Sequence, residues 1–389
     1  MFPAQPFRAL PMPLWIISVL LHAYVGMRIV PALPGGPWPA LTFAGVLVVS
    51  AAAMPMSLLA RRLRVQPWSD RLAWAGAMAM GLFSSLFVLT LVRDLVLLLA
   101  WVVESLVPGA ALPTLAPLSA AAVVLLGALV TVVGFVNARR TAAVTVVEVP
   151  LHDLPPALHG FSVAQISDIH VGPTIKAKYL QAIVNKVNAL NADMVAVTGD
   201  LVDGSVRELG PHVAPLASLT STHGTYFVTG NHEYYSGAHA WIAELRRLGV
   251  QVLMNEHVVL RHGGAGLIVA GVADYSAHHF DESHRSDPHA AIAGAPAAVA
   301  TRILLAHQPR SAQAAADAGF QLQLSGHTHG GQFLPWNFFV QLQQPFTAGL
   351  HRLKDLWVYT SRGTGYWGPP KRFGAPSEIT HLKFVPATT

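Results

Sequence analysis

Long apolar segments dominate the first third of the chain. Four of them reach about 20 residues, the length that a helix needs to cross the hydrocarbon core of a bilayer. They cover residues 10–30, 38–60, 72–92 and 118–138. Buried helices of a soluble protein are the alternative, but four such segments with almost no polar face favour transmembrane helices. A fifth run, residues 95–107, contains Glu104 and is shorter, so we expect an interfacial or re-entrant segment.

From about residue 141 the pattern changes to short β-rich runs that alternate with helical ones. Strands are predicted at 145–149, 161–166, 194–198, 225–228, 266–270, 302–306, 321–324, 356–360 and 378–384. Helices are predicted at 176–190, 211–219 and 239–248, and residues 275–300 lack a clear period, which indicates a long loop or a short helix. Alternating strands and helices indicate a layered α/β domain. We therefore predict a membrane domain of about four helices over residues 1–140 and an α/β domain over 141–389.

The charges follow the same division. The chain is 52% hydrophobic and only 12% charged, well below the roughly 25% charged residues of soluble domains. Residues 1–140 contain nine arginines, no lysine and three acidic residues, so the excess of positive charge belongs to the apolar part. Positive charge beside apolar spans sets membrane orientation, and we do not interpret it as a nucleic-acid-binding surface. The absence of cysteine excludes disulfides and thiolate metal sites.

Arginine positions predict the orientation of the spans. The relevant residues are Arg8 before the first span, Arg61, Arg62, Arg64 and Arg71 after the second, and Arg139 and Arg140 after the fourth. Cytoplasmic loops carry an excess of Arg and Lys, so both termini and the α/β domain are expected on the cytoplasmic side. The preference for Arg over Lys and the high alanine content favour a bacterial inner membrane. His22 falls inside the first span, where a hydrogen bond between helices is the favoured role.

Residue types that bind metals follow several predicted strands of the α/β domain. They are Asp168, His170, Asp200, Asn231, His232, His307, His327 and His329. Each alone fits a simple turn or helix cap, but those separate explanations leave the order and placement of the whole set unexplained. The stretch from Ser325 to Gln332 has glycines on both sides of His327 and His329, which lets the backbone approach a ligand closely.

These blocks occur in the order of the motifs of the calcineurin-like metallophosphoesterase family, which residues 141–389 resemble. The preceding spans add a resemblance to transmembrane proteins with a metallophosphoesterase domain. The resemblance implies an αββα sandwich of two mixed sheets between helices. It also implies one metal ion on Asp168, His170, Asp200 and His329, and a second on Asp200, Asn231, His307 and His327, with Asp200 as the bridge. His232 corresponds to the histidine that assists the leaving group.

The residue chemistry agrees with that resemblance. Phosphoester hydrolysis at neutral pH needs hydroxide and positive charge, which two divalent ions about 3.5–4 Å apart provide. Carboxylate and imidazole ligands without thiolate suit manganese, iron or zinc more than calcium; we favour manganese, with iron, zinc or magnesium as alternatives. Glu233 is interpreted either as a group that orients His232 or as an exposed structural residue. Asp274 is a candidate for holding a ligand imidazole.

The sequence thus predicts a membrane-anchored phosphohydrolase of the phosphatase or phosphodiesterase type that uses a metal-activated hydroxide. Monoester, diester and pyrophosphate substrates remain open. The aromatic run from Phe333 to Phe346 favours core packing, with contact to a lipid-linked substrate as the alternative. His278, His279, His284 and His289 are expected to be solvated loop residues, with substrate contact as the alternative. A catalytically silent membrane scaffold or sensor is the competing interpretation.

Overall fold

The computed structural model describes residues 12–60, 63, 65–109 and 113–387. The described chain divides into two compact units. The first runs to Asn137 and includes the short stretches Phe333–Pro335 and Gly368–Phe373. The second contains Ala138–Gln332, Trp336–Trp367 and the chain from Gly374 onward. Arg8, Arg61, Arg62 and Arg64, on which part of the predicted orientation depends, lie outside the described residues.

The first unit is helical. Its helices are α1 (Met12–Ile29), α2 (Pro37–Ala53), α3 (Met56–Ala60), α4 (Trp68–Leu106) and α5 (Leu115–Arg139). Four stretches of the described chain are long and apolar enough to cross a membrane: Met12–Ala32, Pro37–Ala60, Trp68–Leu106 and Leu115–Arg139. The prediction of four helices that are long and apolar enough to cross a membrane is therefore confirmed.

The expected re-entrant segment at residues 95–107 is wrong, because this stretch continues α4. That helix has 39 residues, which corresponds to about 58 Å at 1.5 Å per residue. Charge does not end the helix at Arg93 and Asp94 because both side chains find partners. Asp94 pairs with Arg28 at 2.9 Å, and Arg93 donates to the Ser119 hydroxyl at 3.1 Å.

His22 links two helices of this unit, as predicted. One ring nitrogen, Nδ1, lies 2.8 Å from the Ser18 carbonyl oxygen on the same helix. The other, Nε2, lies 2.9 Å from the Ser50 hydroxyl on α2. Both polar atoms of the ring are therefore satisfied inside an apolar environment, where an unpaired polar group is costly.

The second unit contains twelve described strands in two sheets. They are β1 (Ala143–Leu151), β2 (Ser162–Ile166), β3 (Met194–Val197), β4 (Thr225–Phe227), β5 (Gln251–Val252), β6 (Glu256–His262), β7 (Ala265–Gly271), β8 (Arg302–Leu305), β9 (Leu322–Ser325), β10 (Gly349–Leu353), β11 (Leu356–Thr360) and β12 (Glu378–Pro386). One sheet has the order β1-β12-β2-β3-β4-β5 and the other the order β10-β11-β9-β8-β7-β6. Both are mixed: β2, β3, β4 and β5 are parallel, as are β7, β8, β9 and β11, while β12 runs antiparallel to β2.

Helices cover the outer faces of the two sheets. The helices of this unit are α6 (Ala177–Asn188), α7 (Val206–Val213), α8 (Asn231–Ser236), α9 (Ala238–Arg247), α10 (Pro288–Ile292), α11 (Ala312–Asp317) and α12 (Trp336–Gln343). Apolar residues of α6, α7 and α9 share a core with the first sheet, and those of α10 and α11 share one with the second. A third core, with Val163 and Leu305 among its residues, lies between the sheets. The αββα sandwich is confirmed.

Two local predictions differ from the structure. The helix expected at 211–219 begins earlier, because α7 starts at Val206 and contains Pro211 in its interior. The hairpin of β6 and β7 was only half predicted, because β6 was missed. Gly263 and Gly264 connect its strands with φ of 57° and 87°. Two consecutive positive φ values are typical of a tight hairpin turn, so this pair of glycines was the available signal.

Candidate active site

All eight predicted site residues lie just beyond strand ends in the second unit. Ligands in α/β folds bind outside the carboxyl ends of the strands. The first sheet supplies Asp168 and His170 after β2, Asp200 after β3, and Asn231 and His232 after β4; the second sheet supplies His307 after β8 and His327 and His329 after β9. The structure therefore brings together at one edge the residues that the sequence spreads over 162 positions.

Five of these residues have an unusual backbone. Asp168, His170, Asp200, His327 and His329 have φ between 51° and 70°. Among the described non-glycine residues only four others have a positive φ. Such conformations are uncommon outside glycine and persist where the surroundings determine them, often at functional sites. The backbone alone thus marks this edge of the sandwich.

Two glycines allow the loops to approach each other. A Cβ added to Gly230 would lie 2.6 Å from the backbone nitrogen of Asp200, and it would also meet the Asp200 carboxylate. A Cβ on Gly326 would overlap Ser167 and the carboxylate of Asp168. The glycines beside these residues are therefore needed for close backbone approach.

The first group of ligand-type atoms belongs to Asp168, His170 and His329. The Nε2 atoms of His170 and His329 lie 3.1 Å apart, and His329 Nε2 lies 3.4 Å from Asp168 Oδ1. All three residues are buried, and one ligand-type atom from each lies within 4.8 Å of the others.

The second group contains Asp200, His307 and His327. His307 Nε2 lies 3.1 Å from Asp200 Oδ2 and 3.2 Å from His327 Nδ1. The same oxygen of Asp200 is 4.0 Å from His170 Nε2, so Asp200 lies between the two groups. Asn231 is also buried, and its Oδ1 has no hydrogen-bond donor among the described residues.

Hydrogen bonds on the far side of two imidazoles fix their orientation. His307 Nδ1 donates to the Thr198 carbonyl oxygen at 2.7 Å. His170 Nδ1 lies 3.2 Å from Asp203 Oδ1, to which it donates. Both rings therefore turn Nε2 toward the centre of the site. Histidines that bind metals usually donate their second ring N–H in this way.

Burial and charge together shift the pKa values in the site. Burial raises the pKa of Asp168. Burial acts on Asp200 in the same direction, but the charges of His307 and His232 outweigh it and hold the pKa of Asp200 well below its usual range. Burial lowers the pKa of His307, yet the charge of Asp200 prevails and raises it well above the ordinary value. The buried carboxylate of Asp200 thus favours positive charge on the ring of His307.

Sequence reasoning missed Asp203. Its Oδ1 accepts from His232 Nδ1 at 2.5 Å as well as from His170. Burial lowers the pKa of His232, but the charge of Asp200 and the hydrogen bond to Asp203 raise it to about 9. The available signal was a second aspartate three positions after Asp200, which a turn could direct to the same site.

Glu233 and Asp274 have roles other than those considered. Glu233 is fully buried, so the exposed structural role is wrong. Its carboxylate accepts from the backbone N–H groups of Asp200 at 3.0 Å, Leu201 at 2.8 Å and Gly230 at 2.6 Å, and so it holds the loop after β3. Asp274 accepts from the Gln308 side chain at 3.0 Å instead of from a ligand imidazole. It thus stabilises the residue next to His307.

The chain is similar to several known proteins. Residues 161–331 match the model of the calcineurin-like phosphoesterase family. The chain is 43% identical over 271 residues to a bovine (Bos taurus) "transmembrane protein with metallophosphoesterase domain", an alignment that covers 67% of this chain and 61% of that protein. An uncharacterized metallophosphoesterase of Helicobacter pylori strain J99 is 39% identical over 57% of this chain and 59% of its own length.

A third relative is matched over most of its length. It is an uncharacterized metallophosphoesterase of Aquifex aeolicus, 31% identical over 55% of this chain and 80% of its own. The chain spans only about three-fifths of the bovine relative, at 61%. The apolar helices and the name of that relative together indicate a membrane protein.

By its matched domain and its sandwich fold, the chain belongs to the calcineurin-like metallophosphoesterase family.

Proposed function

We propose that this protein is a membrane-anchored phosphohydrolase that uses two divalent metal ions to cleave phosphoester or pyrophosphate bonds. The observation that carries the proposal is the closeness of two three-residue groups, one of Asp168, His170 and His329 and the other of Asp200, His307 and His327. Asp200 Oδ2 lies 3.1 Å from His307 Nε2 in its own group and 4.0 Å from His170 Nε2 in the first group. A carboxylate in that position is suited to bridging two ions.

The residues present fit two divalent ions. Asp168, His170, Asp200 and His329 would hold one; Asp200, Asn231, His307 and His327 would hold the other. The buried Asn231 Oδ1 supports the fit because it has no donor among the described residues, and buried polar atoms normally have a partner. Oxygen and imidazole nitrogen without thiolate suit manganese, which we favour, or iron, zinc and magnesium.

Bound ions of this kind supply Lewis-acid charge and lower the pKa of water. His232 supplies the proton for the leaving group in this proposal. The charge of Asp200 and the hydrogen bond to Asp203 raise its pKa above the ordinary value, which favours the protonated ring, and Asp203 holds its Nδ1. The Nε2 atom, 4.0 Å from Asp200 Oδ2, faces the same centre as the ligand atoms. A proton donor of this type contributes about 10²–10⁴-fold to the rate.

An aromatic series that begins at His232 supports an amphiphilic substrate. The ring of His232 lies 6.5 Å from that of Trp367, and Trp367 lies 5.6 Å from Trp336 at the start of α12. Along α12, Phe338 is 60% exposed and Phe339 is 50% exposed. Core packing, the favoured interpretation of this run, is therefore wrong for these two side chains. Exposed aromatic residues suit the headgroup boundary of a membrane.

We therefore propose a phosphoester or pyrophosphate carried on a lipid as the substrate class. The four apolar helices anchor the chain in the same bilayer. Anchoring raises the effective concentration of a membrane-borne substrate without any new contact. Placement of the catalytic unit on the cytoplasmic side of a bacterial inner membrane is part of the proposal and follows from the arginine positions.

The reaction is tested with the full-length protein in detergent and an aryl phosphodiester or monoester. Hydrolysis should stop when a chelator is added and return with Mn²⁺. Hydrolysis that persists unchanged in chelator would contradict the metal-dependent reaction. Absence of hydrolysis on every phosphoester and pyrophosphate tried would favour the silent scaffold or sensor.

The substrate class is tested in liposomes with lipid-linked and water-soluble phosphoesters side by side. A variant with Phe338→Ser and Phe339→Ser should lose its preference for the lipid-linked substrate while keeping the rate on the soluble one. Val146→Ser is a matched control, because Val146 is 58% exposed on the edge strand β1. An unchanged preference in the double variant would show that the aromatic face of α12 does not select the substrate.

A further inference from the structure

A second cluster of metal-ligand residues lies outside the catalytic groups. It consists of His239 on α9 and Asp281 and His284 in residues 275–292, here called the lid segment. His239 Nε2 lies 2.9 Å from Asp281 Oδ2, and His284 Nε2 lies 4.0 Å from the same oxygen. One ligand-type atom from each of the three residues lies within 4.8 Å of the others. We propose that these residues form a peripheral site for a zinc-class divalent ion that fastens the lid segment to α9.

The distances suit tetrahedral coordination after small side-chain rotations. Ligands at zinc–nitrogen and zinc–oxygen distances of about 2.0–2.1 Å stand about 3.3 Å apart in a tetrahedron, between the observed 2.9 and 4.0 Å. Two imidazoles and one carboxylate favour zinc, cobalt or nickel over magnesium and calcium. His239 is 74% exposed, so ions reach the cluster from solvent and a water molecule can complete the coordination.

The surroundings orient two of the three ligands. His284 Nδ1 lies 2.9 Å from the hydroxyl of Tyr234, and donation in that direction leaves the Nε2 lone pair facing the cluster. Ser283 donates to Asp281 Oδ1 from its backbone at 2.9 Å and from its hydroxyl at 2.6 Å, which leaves Oδ2 for the histidines. Such outer partners are typical of metal sites.

An ion pair between His239 and Asp281 would explain their short distance without a metal. That ion pair would leave the orientation of His284 unexplained. Its Nε2 faces Asp281 Oδ2 at 4.0 Å, a distance longer than a hydrogen bond. The rings of His239 and His284 are 4.8 Å apart between centroids. Coordination of a shared ion accounts for both imidazoles and for Asp281 Oδ2 together.

The position of the cluster gives the ion a role beside the catalytic groups. Phe280, next to Asp281, packs its ring 5.6 Å from that of Tyr235. Tyr235 in turn lies 5.2 Å from the ring of His232. An ion held by His239, Asp281 and His284 therefore restrains Phe280 against the residue that contacts the proposed proton donor. The lid segment is ordered when the ion is bound and exchanges more freely when it is not.

The test uses full-length protein in detergent, preloaded with Mn²⁺ and titrated with Zn²⁺ alone by calorimetry and elemental analysis. Wild type should bind one equivalent more than His239→Ala, whose exposed position makes unfolding of the variant unexpected. Tyr234→Phe should keep the site with about 10–100-fold weaker affinity, because it removes the outer partner of His284. His278→Ala and His279→Ala are controls in the lid segment and should bind as wild type does.

Hydrogen exchange of the lid segment gives a second readout. Zn²⁺ should slow the exchange of amides in residues 275–292 in wild type but not in His239→Ala. Equal zinc stoichiometry in wild type and His239→Ala would overturn the proposed site, and equal zinc-dependent protection of the lid segment in both proteins would overturn the proposed fastening. Neither measurement uses hydrolysis. Failure of the proposed zinc site is therefore distinguishable from failure of the proposed function.

Discussion

Asp203→Asn tests the link between the proposed proton donor and the rest of the site. The substitution keeps the size of the side chain but removes the charge that faces His232 Nδ1 at 2.5 Å. A hydrogen bond to a charged group is worth about 1.5–3 kcal/mol. With the charge of Asp200 compensated by bound divalent ions, Asp203 becomes the main anionic partner of His232, so this hydrogen bond largely determines how firmly the ring keeps its proton.

The expected result is a shift of the pH profile together with a lower rate. The charge of Asp200 and the hydrogen bond to Asp203 both raise the pKa of His232 above its ordinary value. Loss of about 1.5–3 kcal/mol corresponds to about 1–2 pH units, so activity should fall at a correspondingly lower pH on the alkaline side. For substrates with poor leaving groups kcat should drop, but by less than the about 10²–10⁴-fold expected for His232→Ala. Substrates with very acidic leaving groups need little protonation and should lose much less.

The assay compares Asp203→Asn, His232→Ala and the double variant over a series of aryl phosphoesters, with metal content measured in each. Because Asp203 acts through His232 in this reasoning, the double variant should be no slower than His232→Ala. A double variant whose loss equals the product of the two single losses would refute the reasoning. Reduced metal content in Asp203→Asn would instead assign the effect to the contact of Asp203 with His170.

Three further outcomes follow from the structure. Asp200→Asn should lose at least one bound metal ion and nearly all hydrolysis, since this carboxylate lies between the two ligand groups; full metal occupancy by elemental analysis would contradict the bridging role. Glu233→Ala should lower the thermal unfolding temperature more than Glu233→Gln. The alanine variant leaves three buried backbone N–H groups without their acceptor, which costs about 1–3 kcal/mol for each group. Equal melting temperatures of the two variants would show that water replaces the carboxylate. A reporter that is active only outside the cytoplasm should give signal when inserted at residues 31–37 and none at the C-terminus, and the reverse pattern would invert the proposed orientation.

The alternation of strands and helices predicted a layered α/β domain because the residues that bound each strand are local in the chain; the two-sheet sandwich was implied by the family resemblance. In β3, an unbroken apolar run is followed by Thr198, Gly199 and Asp200, and the strand ends at Val197. Local sequence was insufficient where partners decide the structure. The 39-residue α4 continues past Arg93 and Asp94 because residues of other helices pair with them, and no spacing rule shows those contacts.

The structure brings the proposed ligand residues together at one edge of the sandwich, whereas sequence reasoning assigned no role to Asp203. His307 and Asp200 were not identified individually; the order of the whole set of residues resembled the motifs of the family. Asp203 and Glu233 are ordinary carboxylates in sequence, and their roles depend on which atoms the fold places 2.5–3.2 Å away. The exposure of Phe338 and Phe339 was likewise undetermined by sequence, because an aromatic run has the same pattern in a core and on a surface.

The left-handed backbone at Asp168, His170, Asp200, His327 and His329 sets stability against function. Each non-glycine residue in this conformation costs of order 1 kcal/mol, and glycine or asparagine would adopt it more easily. Selection of this chain for heat resistance alone should therefore enrich those two residues at the positions that the proposed chemistry needs most. Selection for turnover should restore aspartate and histidine there, so thermostable and active lineages of the same fold would diverge first at these five positions.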